Sequence, residues 1–220
     1  MAARRALRDR AVLPRMILPV GTQTKSETRA VAHRLGLEVI AEKLESQDIC
    51  FVPDGDHTKI IRSKLGADAP SLSRGPFLLS NGQTIGEHDG YARFTIGQRR
   101  GVPGGFREPM FVVAIRPEDR AVVIGPREEL LGRGLVAREV HWLIDPPSVG
   151  ARLEVQVRHR ATAARAEVVR IDGDEIELAL DEPVSAITPG QSAVLYDGER
   201  VLGGGFIERA SRMALPILAA

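Results

Sequence analysis

The chain has 220 residues, 43% of them hydrophobic and 27% charged, which is typical of a folded globular protein and excludes a disordered one. Thirty Lys and Arg residues face 29 Asp and Glu residues, so the net charge of +1 excludes a protein that is polybasic throughout. The single cysteine, Cys50, excludes an internal disulfide framework and a thiolate-only metal cage, and it favours a cytoplasmic location.

The first predicted element is a helix that begins at a capping-box sequence, TKSE at 24–27, and runs to about Leu35. Gly36 is expected to provide its left-handed C-terminal cap. The apolar residues in the segment 37–40 predict a short buried strand. One helix and one strand cannot bury both faces of a sheet, so residues 1–56 are interpreted as the C-terminal remnant of an α/β domain.

Residues 57–130 are predicted to form a small central α+β domain. A helix is expected over 60–65, and the Asn-Gly pair at 81–82 predicts a turn between strands. Two apolar runs, 111–115 and 121–124, flank a polar linker and predict a hairpin.

Residues 131–210 are predicted to form a small antiparallel β-barrel. Alternating polar and apolar residues over 152–158 indicate a half-buried strand, and Asp-Gly pairs at 172–173 and 197–198 predict two tight hairpins. Five or six short strands favour a closed barrel, because closure removes exposed strand edges. The three glycines at 203–205 are best explained by close approach of neighbouring backbones or a barrel corner. The fold class is therefore mainly β with α+β elements.

Few residues of the sequence are candidates for catalysis or for ligand binding. Cys50 is either an inert buried residue or a reactive thiolate or persulfide in a turn-rich junction, and spacing alone leaves both interpretations open. The five histidines are scattered, which argues against a tightly bound metal, and no glycine-rich phosphate-binding signature is present. No segment approaches the ~20 apolar residues of a membrane helix, so no membrane association is expected.

Two arginine-containing segments could contact an RNA backbone. Arg158, His159 and Arg160 follow a predicted strand and are expected at a rim of the barrel, where they either meet phosphates or form a solvated face. The segment 97–101, GQRRG, either contacts phosphate through its arginines and backbone amides or is an exposed structural turn.

Several strings in collinear order resemble the tRNA-specific 2-thiouridylase (tRNA-uridine 2-sulfurtransferase) family. The resemblance runs from about residue 6 to about residue 208. It is carried by LPVG with TKSETR, SQDICFVP, IGEH, FTIGQRRG, HW, TPGQSAV and LGGG. Glu45 stands where the family usually has aspartate.

The resemblance implies an enzyme with an ATP-pyrophosphatase domain, a small central domain and a C-terminal barrel. Such an enzyme uses ATP to adenylate the wobble uridine of tRNA and then transfers sulfur from a cysteine persulfide that a sulfur-carrier protein charges. Cys50 corresponds to the persulfide-bearing cysteine. Arg158, His159 and Gln191 correspond to tRNA-contacting positions, with His159 replacing a more usual tyrosine.

The family's ATP loop and first catalytic cysteine have no counterpart in this sequence. The resemblance therefore implies the C-terminal portion of a sulfurtransferase, without ATP-binding residues of its own and inactive alone. The alternative is a non-catalytic tRNA-binding fragment.

Overall fold

The computed structural model describes residues 14–43, 52, 55–159 and 161–212. The chain divides into two compact units, the first ending at Ile60 and the second beginning at Ile61. Cys50 and Arg160 lie outside the described residues. Within the described ranges, no helix is long and apolar enough to cross a membrane.

The first unit contains helices α1 (Lys25–Arg34) and α2 (Glu38–Ala41). The predicted capping box begins α1: the Thr24 backbone N–H donates to the Glu27 carboxylate at 2.7 Å, and the Glu27 N–H donates to Oγ1 of Thr24 at 3.3 Å. Gly36 follows with a φ of +69°, which only glycine adopts readily. The helix and both of its predicted caps are therefore confirmed.

The strand predicted over residues 37–40 is wrong, because this segment forms the short helix α2. The Ala41 N–H donates to the Leu37 carbonyl at 2.9 Å, and Val39 and Ile40 are 86% and 65% exposed. A strand needs a partner for its backbone groups, and none of the described residues of this unit forms one. A helical turn satisfies those groups locally instead.

Helix α3 (Thr58–Leu65) confirms the helix predicted over 60–65 and begins two residues earlier. A mixed four-stranded sheet follows, in the order β2-β1-β4-β3, with β1 and β4 parallel and the other neighbours antiparallel. The Asn-Gly turn joins β1 to β2, with Gly82 at a φ of +89°, and the hairpin of β3 and β4 is confirmed. The strands are β1 (Gly75–Leu79), β2 (Thr84–His88), β3 (Phe111–Arg116) and β4 (Ala121–Gly125).

The six remaining strands form a closed barrel in the order β10-β5-β8-β7-β6-β9, and all neighbours are antiparallel. The prediction of a mainly β chain with a small closed antiparallel barrel is confirmed, as are both Asp-Gly hairpins. The strands are β5 (Leu131–Trp142), β6 (Arg152–Gln156), β7 (Ala164–Asp172), β8 (Glu175–Ser185), β9 (Ser192–Asp197) and β10 (Arg200–Arg212).

The glycine run in β10 is a place of close backbone approach, as predicted. A Cβ atom at Gly203 or Gly205 would lie 2.5 Å from a carbonyl oxygen of β5, and one at Gly204 would lie 2.7 Å from the Ala193 carbonyl of β9. Real Cβ atoms do not come this close to backbone atoms. The absence of side chains therefore lets β10 lie tightly between both neighbouring strands.

One face of the sheet packs on the connection between β8 and β9. Ala121 and Val123 of β4 are fully buried and share a hydrophobic cluster with Leu130 and Ala186. The Ala186 N–H also donates to the Leu130 carbonyl at 2.9 Å. These contacts fix the segment that leads from Ala186 to the start of β9.

His88 is a packing residue of the sheet. It is 5% exposed, its ring packs edge-on against Phe77 at 5.1 Å between centroids, and its Nδ1 accepts the Gly90 N–H at 3.1 Å. Burial lowers the pKa of His88 below 6.5, an effect opposed by the Arg120 carbonyl and the Asp89 carboxylate. The neutral ring is therefore the form that the fold accommodates.

We expect the free energy of unfolding to fall as the pH drops below 6.5, because the unfolded chain then binds a proton at His88 that the folded chain resists. The contribution of His88 to the free energy of unfolding is fully present above pH 6.5. It is lost as the pH falls from 6.5 to the lower pKa of His88 in the folded state. Guanidinium unfolding at pH 7.5 and pH 5.5 should show that the free energy of unfolding falls less between these pH values for His88→Gln than for wild type. An equal loss in both proteins would contradict this assignment.

Candidate nucleic-acid interface

The ends of two barrel strands form a groove of about 610 Å³ on the barrel surface. Strands β6 and β9 are antiparallel, with Gln156 opposite Val194, so the chain leaving β6 lies beside the chain entering β9. Among the residues that the structure describes, the lining includes no carboxylate. The lining residues are Gln156, Arg158, His159, Gly190, Gln191, Ser192 and Val194.

One wall of the groove is the turn after β6. Val157 is 2% exposed and anchors the turn in the core, while Arg158 and His159 are exposed. The Ala161 N–H donates to the Arg158 carbonyl at 3.2 Å, and the Gln156 side-chain amide donates to the Ala161 carbonyl at 2.7 Å. The turn is therefore fixed by these hydrogen bonds and by Val157, and the side chains of Arg158 and His159 are exposed to solvent.

The other wall is the sequence Thr188-Pro189-Gly190-Gln191. The Gln191 N–H donates to the Thr188 carbonyl at 3.2 Å, and Gly190 has a φ of +84°. Proline and then glycine at the two central positions are the residues that a type II turn requires. Ile207 of β10 binds this turn through two backbone hydrogen bonds of 2.8 Å, which fixes its place at the barrel end.

Gln191 lines the groove and carries a buried acceptor that no described residue uses. Its side chain is partly buried, and its Oε1 atom is buried without a hydrogen-bond donor among the residues that the structure describes. A buried amide oxygen without a donor costs free energy, which the side chain would recover by rotating into the groove and accepting a hydrogen bond from a ligand hydroxyl or amine. The structure therefore brings Arg158, His159 and Gln191 to one groove, although Gln191 is distant in sequence from the other two.

Two other arginines of the barrel segment 150–170 are paired with acidic side chains. Arg152 forms ion pairs with Glu167 and Asp181, and Arg170 with three acidic residues of β7 and β8. These contacts, led by the hydrogen bond that the Arg170 guanidinium donates to the Glu175 carboxylate, raise the pKa of Arg170. The charges of Arg152 and Arg170 are therefore neutralised by neighbouring acidic side chains on the solvent-exposed face of the barrel. The sequence pattern alone could not distinguish these two arginines from Arg158 at the end of β6.

Gln156 is the groove residue that sequence reasoning missed. It occupies an outward position of a half-buried strand, where any polar residue fits the alternation. Only its hydrogen bond to the next turn shows that it supports Arg158 and His159. In the described part of the chain, no group of three or more His, Cys, Asp or Glu side chains is arranged to hold a metal ion.

Three family models match the chain in order. One described as a tRNA methyl transferase HUP domain covers residues 6–54, a tRNA methyl transferase PRC-barrel domain covers 67–126, and an aminomethyltransferase beta-barrel domain covers 132–207.

The chain is also 41% identical to the tRNA-specific 2-thiouridylase of Carboxydothermus hydrogenoformans over 199 residues, which cover 90% of this chain and 53% of the relative. The corresponding enzyme of Rhodopirellula baltica is 43% identical over 211 residues, covering 92% and 51%. The chain belongs to the tRNA-specific 2-thiouridylase family. It spans about half the length of the curated 2-thiouridylases that it matches.

Membership of the 2-thiouridylase family implies ATP use within the family, but the N-terminus of helix α1 does not fit a phosphate group of ATP. A phosphate-binding helix offers free N–H groups at its first turn. The first turn of α1 is instead occupied by its own Glu27 carboxylate, whose pKa is lowered by hydrogen bonds from the Thr24 backbone and side chain. A phosphate placed there would meet a negative charge.

Proposed function

We propose that this chain binds tRNA through the barrel groove, as part of a sulfurtransferase that forms 2-thiouridine. The observation that carries the proposal is the convergence of Arg158, His159 and Gln191 on one groove whose described lining residues include no carboxylate. Family membership supports tRNA as the ligand, because the relatives that match are named tRNA-specific 2-thiouridylases.

The groove offers complementary contacts to an RNA strand. The Arg158 guanidinium can donate two hydrogen bonds to one phosphate, while the His159 ring can donate to the backbone or stack on a base. Once its side chain rotates into the groove, the Gln191 amide can accept a hydrogen bond from a ribose 2′-hydroxyl or a base amine, and the 2′-hydroxyl would favour RNA over DNA.

For catalysis we propose Cys50 as the persulfide-bearing cysteine, charged by a sulfur-carrier protein in the cytoplasm. Resolving a persulfide to a disulfide requires a second thiol, and Cys50 is the only cysteine of this chain. We retain the division into residues 1–56, 57–130 and 131–210, with RNA binding assigned to the third segment.

We predict that the purified chain binds tRNA but forms no 2-thiouridine with ATP and a sulfur donor. Filter binding should show tighter association with tRNA than with a DNA duplex of equal length, at the same salt concentration. Cys50→Ser should leave this affinity unchanged, because the contacts proposed for tRNA come from Arg158, His159 and Gln191 and none of them involves a thiol. Equal affinity for tRNA and duplex DNA would contradict the proposal.

A non-catalytic tRNA-binding module is the second candidate. It shares the groove and differs only in the use of Cys50. Mass spectrometry after incubation with a persulfide donor distinguishes the two candidates. The enzyme is supported if Cys50 carries a persulfide, and if its sulfur is transferred to tRNA when an ATP-pyrophosphatase domain from the family is added. Binding without such transfer supports the module.

A further inference from the structure

A second cationic surface lies on the loop that joins the sheet strands β2 and β3. We call residues 97–110 the arginine loop. It surrounds a hollow of about 350 Å³, lined among others by Arg99, Phe106 and Arg107 together with the side-chain-free backbone of Gly104 and Gly105. All described lining residues of this hollow belong to the loop, and none of them lines the barrel groove.

The arginines of this loop are exposed and unneutralised. The side chains of Arg99, Arg100 and Arg107 form no hydrogen bond or ion pair with any residue in the described ranges, and Glu108 is the loop's one carboxylate. Arginines elsewhere in the same sheet are paired: Arg74 lies near Glu87 and Asp89, and Arg116 pairs with Asp119. The loop is therefore a local concentration of positive charge available to a ligand.

The beginning of the loop is held rigidly. The Gln98 side chain accepts the Thr95 N–H at 3.1 Å and donates to the Arg100 carbonyl at 2.7 Å. The Gly97 N–H donates to the Val112 carbonyl, and the Val112 N–H donates to the Gln98 carbonyl, both at 2.8 Å. Positioning Arg99 and Arg100 in advance reduces the conformational entropy that binding would otherwise cost.

The end of the loop is also fixed, because Met110 and Val102 pack against the buried cluster of the sheet. Between these anchors, Phe106 is 37% exposed beside Arg107. Guanidinium groups bind phosphates, and an aromatic ring beside them stacks on an unpaired base. The combination fits a single-stranded or looped RNA segment, in which bases are free to stack.

The arginine loop and the barrel groove adjoin the same segment of chain. A Cβ atom at Gly97 would lie 3.0 Å from the Cβ atom of Ala186, and Gln191 follows Ala186 by five residues. Five residues span at most about 17 Å, a distance that a few nucleotides of one strand can cover. One RNA molecule can therefore reach both surfaces.

We propose that the arginine loop binds an unpaired segment of the same RNA that occupies the barrel groove, with Arg99 and Arg107 on its phosphates and Phe106 stacked on a base. This proposal rests on the function proposed above and adds a second contact surface in the central segment of the chain. It also assigns the GQRRG sequence to phosphate contact rather than to a structural turn alone.

Filter binding of a tRNA transcript to the full chain at several salt concentrations tests the proposal. The double substitution Arg99→Ala with Arg107→Ala should weaken binding at least about tenfold and lower the slope of log affinity against log salt by about one to two. Phe106→Ala should weaken binding at least about fivefold without changing that slope, and Phe106→Trp should restore it. Arg74→Ala, which removes an arginine that is already paired, is the matched control.

The outcomes separate this proposal from the previous one. Wild-type affinity in the arginine-loop variants, together with weakened binding by Arg158→Ala, would overturn the loop assignment and leave the groove intact. Wild-type affinity in both sets of variants would overturn both. The arginine-loop variants should also be tested with an RNA duplex that has no unpaired nucleotides. If their affinity falls as much for this duplex as for tRNA, the loop assignment is overturned, since the loss would indicate general charge attraction. Thermal unfolding of each variant checks that it is folded.

Discussion

Replacing Arg158 with alanine is expected to weaken tRNA binding by about tenfold, equivalent to about 1.4 kcal/mol, because a charge-assisted contact to phosphate is lost. The slope of log affinity against log salt should fall by about 0.7 to 0.9, since about one fewer counterion is released. Gln191→Ala should weaken binding less and leave the slope unchanged, because the lost contact is uncharged. Filter binding across a salt series measures both quantities.

Arg200→Ala is the matched control for charge. It removes an exposed arginine that follows the turn at the far end of β9, whereas the groove lies at the beginning of β9. We expect near wild-type affinity and slope for this variant. If Arg200→Ala and Arg158→Ala weaken binding equally, the groove is not the binding surface.

The second large effect is expected from Gly204→Ala in β10. The added Cβ atom would lie 2.7 Å from the Ala193 carbonyl oxygen, and a carbonyl within a barrel ladder cannot move aside as a flexible side chain can. We expect the free energy of unfolding to fall by about 2–3 kcal/mol, at the upper end of overpacking costs. Denaturant unfolding monitored by circular dichroism measures the change.

Gly104→Ala is the control for the loss of a glycine. A Cβ atom at Gly104 meets nothing within 4 Å, and its φ lies outside the left-handed region. We expect a change of no more than about 0.5 kcal/mol. Similar destabilisation by Gly104→Ala and Gly204→Ala would show that the strand clash is not the cause.

Elements with local signals could be predicted from the sequence. The capping box at Thr24, the left-handed Gly36, and the Asp-Gly turns at Gly173 and Gly198 each depend on residues within a few positions. The barrel followed from these turns and the alternation between them. The segment 37–40 was the exception, since its apolar residues suit a strand only where a neighbouring strand is present.

The candidate site depended on pairing that no local pattern encodes. The register of β6 against β9 places Gln156 opposite Val194, and together with the hydrogen bonds from Ile207 it brings Gln191 to the turn after β6. In the same way, Arg152 is neutralised by Glu167 and Asp181 only because β7 and β8 follow β6 in the barrel. The sequence indicated which residues to consider, and the strand order determined which of them share a surface.

The pairing of β6 with β9 also has a consequence for folding. The hairpins β7–β8 and β9–β10 are joined by short turns and can form early, whereas pairing Glu154 with Tyr196 requires a long loop to close. The groove therefore has no counterpart in a partly folded chain and exists only after the barrel has closed. RNA that binds the groove therefore binds only chains with a closed barrel, and by mass action it shifts the equilibrium toward the folded state.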